Sequence, residues 1–193
     1  DSEMYFTIEE QRKVYRWLNR NDGYHELKIF TDDFGTIVFN GSFNISAITL
    51  NTEVVGFELS FQMEAPYATQ NRKVLRKKFN RQGSFTLIDE SDDIGYIYPH
   101  LQITCKNDGD LKIHNSVENR TTVIKNCKSG EVITFDENLN IHTSLPSHKI
   151  YNDFNFVFFR IANTYKNRRN IVTVNFACDI VLEYYPIVKG VGL

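Results

Sequence analysis

Between residues 55 and 64 apolar and polar side chains alternate without a break. Val55, Phe57, Leu59, Phe61 and Met63 fall on one side, and Gly56, Glu58, Ser60, Gln62 and Glu64 on the other. A period of two marks a strand with one face buried and the other wet. Leu27 with Ile29, and Phe43 with Ile45 and Ala47, repeat the pattern more briefly. Turn sequences at Asp32-Asp33-Phe34-Gly35 and Asn40-Gly41 separate these runs, so the spacing predicts antiparallel hairpins rather than βαβ units. Only near the start does the period become helical. Thr7-Ile8-Glu9-Glu10 has the Thr-x-x-Glu form that satisfies free amides at a helix start. Ile8, Val14, Trp17 and Leu18 then fall close to one helical face, and Asn21-Asp22-Gly23 supplies the stop, giving a short amphipathic helix of about four turns.

From residue 65 to about residue 82 the apolar rhythm stops. Ala65-Pro66-Tyr67 leads into a basic cluster of Arg72, Lys73, Arg76, Lys77, Lys78 and Arg81, which reads as a solvated linker. The expected domain boundary lies here, with residues 1–78 in a first domain and residues 79–193 in a second. Short strands are then expected at residues 85–88, 101–105, 111–113, 121–127, 131–135, 154–161, 171–176 and 178–185, with tight turns at Asp108-Gly109 and Ser129-Gly130. Many short strands at regular spacing predict a β-sandwich. The fold class is therefore mainly β, with one helix packed on the first domain.

Composition narrows the function. The chain has 193 residues, 41% of them apolar, enough for a proper core. Twenty-two basic and 24 acidic side chains leave a formal charge of -2, with no general attraction for nucleic acid or anionic lipid. No apolar run reaches the roughly 20 residues that cross a bilayer, so no membrane insertion is expected. Asp1-Ser2-Glu3 does not open like a signal peptide, and the expectation is a soluble chain made in a cytoplasm. On the same ground the glycosylation triplets Asn44-Ile45-Ser46 and Asn119-Arg120-Thr121 are read as chance. Cys105, Cys127 and Cys178 are odd in number and lie in alternating stretches, so buried free thiols are expected rather than disulfides.

Motifs that carry chemistry are missing. His25, His100, His114, His142 and His148 form no His-x-x-x-His or Glu-x-x-His pair, and no Cys-x-x-Cys occurs. There is no Gly-x-Ser-x-Gly elbow, Walker loop or Gly-x-Gly-x-x-Gly. The acidic runs Asp89-Glu90-Ser91-Asp92-Asp93 and Asp108-Gly109-Asp110 do not match a calcium loop and read as turn-forming carboxylates facing water. No catalytic, cofactor-binding or metal-binding residue is assigned, no cofactor is expected, and the chain is not read as an enzyme. Phe154, Phe156, Phe158, Phe159, Tyr184 and Tyr185 read as core, but neighbours in a strand face opposite ways. Half of each adjacent pair therefore needs a cover from another domain or subunit.

The order of these pieces resembles the siphophage distal tail protein family. In the first part the helix ending at Trp17-Leu18 and the strand closing at Phe61-Gln62-Met63-Glu64-Ala65-Pro66-Tyr67 resemble the end of that family's ring-forming domain. Asp108-Gly109-Asp110-Leu111-Lys112-Ile113 with Asn115, and Gly130-Glu131-Val132-Ile133-Thr134-Phe135-Asp136, resemble its galectin-like sandwich. Phe159-Arg160-Ile161, Asn170-Ile171-Val172-Thr173-Val174, Cys178-Asp179-Ile180-Val181-Leu182-Glu183-Tyr184 and the closing Gly190-Val191-Gly192-Leu193 continue the match. Two departures stand out: the chain reads as starting partway through the ring domain, and Lys166-Asn167-Arg168-Arg169 fills a turn that usually contains glycine.

The resemblance implies a structural virion component of the tail tip or baseplate, made in the bacterial host cytoplasm. Its partners would be copies of itself in a hexameric ring and other tail proteins, with host-surface glycan as a further ligand of the sandwich. The alternative reading is a carbohydrate-binding β-sandwich module recognising host glycans, and a glycan-processing enzyme stands third. Nucleic acid is not an expected partner.

Overall fold

The computed structural model describes residues 5–32, 35–164 and 166–190. The middle of the turn expected at Asp32-Asp33-Phe34-Gly35 and the last three residues of the chain lie outside them. The chain divides into two units, residues 1–70 with 189–193, and residues 71–188.

The first unit opens with helix α1 (Ile8–Leu18), followed by strands β1 (His25–Thr31), β2 (Gly35–Leu50), β3 (Glu53–Met63) and β4 (Ala68–Gln70). The Thr7 hydroxyl accepts the Glu10 N–H at 3.3 Å, and Glu10 Oε2 accepts the Thr7 N–H at 2.9 Å, which is the reciprocal cap read from the sequence. The helix nevertheless buries no residue fully. Val14, Tyr15 and Leu18 are half-buried, whereas Ile8 and Trp17, expected on the packed face, are 77% and 74% exposed.

β2 is the spine of the sheet. It pairs antiparallel with β1 through His25↔Gly41 to Thr31↔Gly35 on one edge, and with β3 through Gly41↔Met63 to Leu50↔Glu53 on the other. Gly41 thus lies inside a continuous strand and not at the turn expected from Asn40-Gly41. The turn is at Asn51, where φ is 58°. Gly41 serves a different need: a Cβ there would stand 2.3 Å from the Gln62 carbonyl oxygen and 2.6 Å from the Phe61 ring. Glycine leaves the space that the ring and the carbonyl occupy.

The second unit holds β5 (Lys73–Phe79), β6 (Gly83–Ile88), β7 (Gly95–Ile97), β8 (His100–Cys105), β9 (Gly109–Asn115), β10 (Arg120–Cys127), β11 (Val132–Phe135), β12 (Ile141–Thr143), α2 (Ile150–Asp153), β13 (Ile161–Asn163), β14 (Arg169–Val174), β15 (Cys178–Tyr184) and β16 (Ile187–Val188). Two antiparallel sheets, ordered β10-β9-β14-β6 and β12-β11-β8-β15-β5, face one another. Leu101, Ile103, Ile133, Ile180 and Leu182 from one sheet meet Leu87, Leu111, Ile113, Val172 and Val174 from the other in a shared core. β15 alternates as the sequence predicts, with Cys178, Ile180, Leu182 and Tyr184 inward.

Two segments differ from expectation. The basic stretch taken as linker is strand β5, paired residue by residue with β15 from Phe79↔Cys178 to Lys73↔Tyr184. Leu75 and Phe79 pack on the core from a strand whose other side chains are mostly charged. The chain therefore divides at residues 70 and 71, and the boundary placed between residues 78 and 79 falls inside this strand. Residues 154–160 form no strand beyond an isolated bridge from Phe154 to Ile124. The side chain of Asn155 substitutes for a strand neighbour: its Oδ1 accepts the Val123 N–H at 3.1 Å and its Nδ2 donates to the Thr121 carbonyl at 3.0 Å.

Candidate functional site

The acidic runs act locally. Asp108 accepts the Ser129 N–H at 2.8 Å and pairs with Lys128, and the Ser129 bond first and the Lys128 bond second hold its carboxyl below the usual range. Asp89 differs from the expectation of a solvated turn carboxylate. It is buried, and its Oδ1 accepts from both the backbone and the hydroxyl of Ser91 at 3.2 and 2.8 Å. Among the described residues no three His, Cys, Asp or Glu side chains converge as a metal site would require. The three cysteines are free and buried.

A buried ionic cluster was not visible in the sequence. Glu131 is fully buried, and its carboxylate accepts from the Lys128 N–H (2.8 Å), the Thr143 hydroxyl (2.5 Å) and His148 Nδ1 (2.6 Å). His148 Nε2 stands 3.3 Å from Asp153 Oδ2, an ion-pair distance without hydrogen-bond geometry. Burial by itself would lower the imidazole pKa. The bond and charge of Glu131, with Cys127 and Asp153 adding to them, outweigh it and raise the pKa above its ordinary value. With its partners 12 and 17 residues away, Glu131 looked like any polar residue before a strand. The cluster ties the α2 segment to the sandwich, and its outer members His148 and Asp153 line an open surface depression with Asn126, Lys128 and Asn152.

A second polar group faces outward. Arg160 grips Glu118 with Nε at 2.7 Å and with a second, short bond, and its guanidinium lies 3.8 Å from the centre of the exposed Tyr96 ring. The Glu118 bond raises the Arg160 pKa further, so the charge is permanent. Of the aromatics singled out from the sequence, Phe154, Phe159 and Tyr184 are buried, Phe158 packs on the core, and Phe156 and Tyr185 are exposed.

The largest unmet need lies in the first unit. The face of β3 expected to be buried is half open: Leu59 is 47% and Met63 43% exposed, while Phe57 is covered by the rings of Phe6 and Tyr15 at 5.1 and 5.8 Å. Where the cover ends, a cavity of about 240 Å³ opens between Trp17 and Leu18 of α1 and Leu27, Phe43 and Phe61 of the sheet. At its rim Asp22 accepts from Arg20 at 2.5 Å and contacts His25 Nε2 at 2.8 Å. The Arg20 bond first, and His25 second, hold the Asp22 carboxyl well below the usual range. Exposed apolar surface of this extent has the character of a contact surface.

The comparisons with known proteins agree with that character. The fold is similar to the crystal structure of the Dit protein of phage SPP1, described as a paradigm of the hub adsorption apparatus in phages infecting Gram-positive bacteria. The TM-score is 0.61 at 9% identity, over 93% of this chain and 73% of that one. At that identity the likeness concerns the fold alone. No curated protein matches the sequence. A phage tail protein N-terminal domain model matches residues 1–65, and a phage tail C-terminal domain model matches residues 67–184. These matches run along nearly the whole sequence, and the chain belongs to this family of phage tail proteins.

Proposed function

We propose that the protein is a structural component of the tail tip or baseplate hub, joining the tail tube to the adsorption apparatus. Copies assemble as a ring, with the hexamer that the resemblance to distal tail proteins implies, and the galectin-like sandwich meets other tail proteins. The observation that carries this reading is the exposed apolar side chains of the first unit: Leu59 and Met63 on one face of the sheet, Phe30 and Ile48 on the other, and Ile8 and Trp17 on α1. A chain with such a surface gains by covering it, and a closed symmetric ring covers it without open-ended growth. The similarity to the SPP1 hub protein supports the same reading. This role needs interfaces and no catalysis. Native mass measurement of the intact chain tests the ring, with a discrete oligomer expected. Antibody labelling of virions tests the location, with label at the distal end of the tail expected and label on the head or along the tube contradicting it.

A second reading, the carbohydrate-binding module, is favoured by one observation: the exposed Tyr96 ring beside the Arg160–Glu118 pair couples a stacking surface to fixed hydrogen-bonding groups. Glycan-array binding that disappears in Tyr96→Ala is expected if the sandwich holds sugar.

A further inference from the structure

The three thiols of the second unit sit at the ends of strands. Cys105 ends β8, Cys178 begins β15 and Cys127 ends β10, and all three are buried. Cys105 and Cys178 stand directly opposite each other in the antiparallel pair of β8 and β15. The backbone bonds fix which kind of pair they form. Cys105 gives its N–H to the Glu131 carbonyl and accepts the Gly130 N–H, both on the side away from β15. The bond to β15 is made one residue further on, from the Lys106 N–H to the Ala177 carbonyl at 3.0 Å. Cys105 and Cys178 are therefore a non-hydrogen-bonded pair, the type in which Cα atoms approach to about 4.5 Å. Both side chains point inward into the shared core. A disulfide spans Cα separations of roughly 4.4–6.8 Å, so the register holds these two sulfurs where a bond can close.

Cys127 is placed differently. It belongs to the facing sheet, hydrogen-bonds with the Cys105 thiol and donates to the Ile124 carbonyl at 3.4 Å. Facing sheets lie about 10 Å apart, beyond the roughly 7 Å over which two Cα atoms can be bridged. We propose that Cys105 and Cys178 form a redox-sensitive clamp, a dithiol inside a reducing cell and a disulfide once the chain meets a low-molecular-weight disulfide outside it. The thiolate of one cysteine attacks the S–S bond of the oxidant and expels one small thiol. The thiolate of the other then attacks the mixed disulfide and expels the second. The pair gives up two protons and two electrons, and the oxidant leaves as two thiols. Burial keeps both groups as unreactive thiols while the sandwich is closed, so the first attack waits for local opening of the strand ends. The chain between the two cysteines carries β9 to β14, most of the unit. Closing so long a loop removes much of the freedom of the unfolded chain. A tail protein works outside the cell that makes it, in oxidising surroundings, and there the clamp stabilises the sandwich. This inference stands on strand register and is independent of the ring reading.

The test is incubation of the intact chain with oxidised glutathione at about pH 8, near the ordinary thiol range, followed by mass spectrometry of the denatured protein and of its peptides. The expected product is lighter by two hydrogens, with a peptide joining Cys105 to Cys178 and Cys127 left as a thiol. The urea midpoint of the second unit should move up by roughly 1–2 M and return with dithiothreitol. Cys127→Ala should keep both the bond and the shift, and Cys178→Ala should lose both. Three thiols still free after prolonged incubation, a lasting glutathione adduct, or a bond from Cys105 to Cys127 overturns the proposal, as does an oxidised chain whose midpoint is unchanged or lower. The peptide map of the native sequence decides the case if a variant fails to fold.

Discussion

A carboxylate with no solvent access has to be neutralised or fully bonded, and Glu131 is both paired and bonded three times. Removing one member of such a cluster leaves the others buried and unmatched. Glu131→Ala is therefore expected to destabilise the second unit by about 3–5 kcal/mol, measured by urea unfolding. Glu131→Gln should cost less, because its one amide oxygen keeps either the Lys128 N–H bond made by Oε2 or the Thr143 hydroxyl bond made by Oε1, where Ala keeps neither. The pH dependence follows from His148. Its pKa is raised in the folded state, so the folded chain binds the proton more tightly than the unfolded one. The resulting stabilisation is complete below the ordinary value of 6.5 and is lost as pH rises through the folded-state value. The stability difference between the native chain and His148→Gln should shrink as pH rises above 6.5, and a constant difference would remove the proton from the account. The cysteines give a further check. Cys105 is pushed up by its bond to Cys127 and by burial, and burial takes Cys178 to about 11. Only thiolates react readily, so a thiol reagent at pH 8 should modify Cys105 and Cys178 only on unfolding, and Cys127, whose pKa the bond to Cys105 lowers, is shielded by burial alone.

Elements succeed or fail here according to what one or two side chains do. Gly41 sits where a methyl group would strike the Gln62 carbonyl and the Phe61 ring, and both belong to the paired strand. Gly41→Ala should pry β2 from β3, seen as faster amide exchange along both strands. Adding Phe61→Ala should restore little, because the carbonyl clash remains. The same residue shows why this hairpin was only partly legible: Asn-Gly is the strongest local turn signal, yet here the glycine answers a tertiary need and Asn51 makes the turn. β15 and β3 were legible because their alternation is unbroken. β5 was not, since Arg76, Lys77 and Lys78 hide the period of Leu75 and Phe79, as suits an edge strand that must resist pairing with strangers. Residues 154–160 imitate a strand in composition but are held by Asn155. The Glu131 cluster and the cavity beside α1 join residues far apart in sequence, and no spacing announces them.

At the scale of the whole molecule the two units differ in how far they complete themselves. The second buries a continuous core drawn from both sheets. In the first, among the described residues, only Ile37, Phe39 and Ala68 are buried apolar side chains. A small unit that buries little apolar surface has little to set against its conformational entropy, and association stabilises it by mass action. The expected outcome is that unfolding at low protein concentration takes two steps. Trp17 lies in the first unit, so its fluorescence reports that unit alone, while far-ultraviolet circular dichroism reports both. The fluorescence midpoint should come at lower urea than the final dichroism transition, and raising the protein concentration should move the first toward the second and leave the second in place. Residues 71–188 made alone should keep the later transition. Coincident curves at every concentration would instead mean one cooperative body, and the exposed face of β3 would then need an explanation other than a missing neighbour.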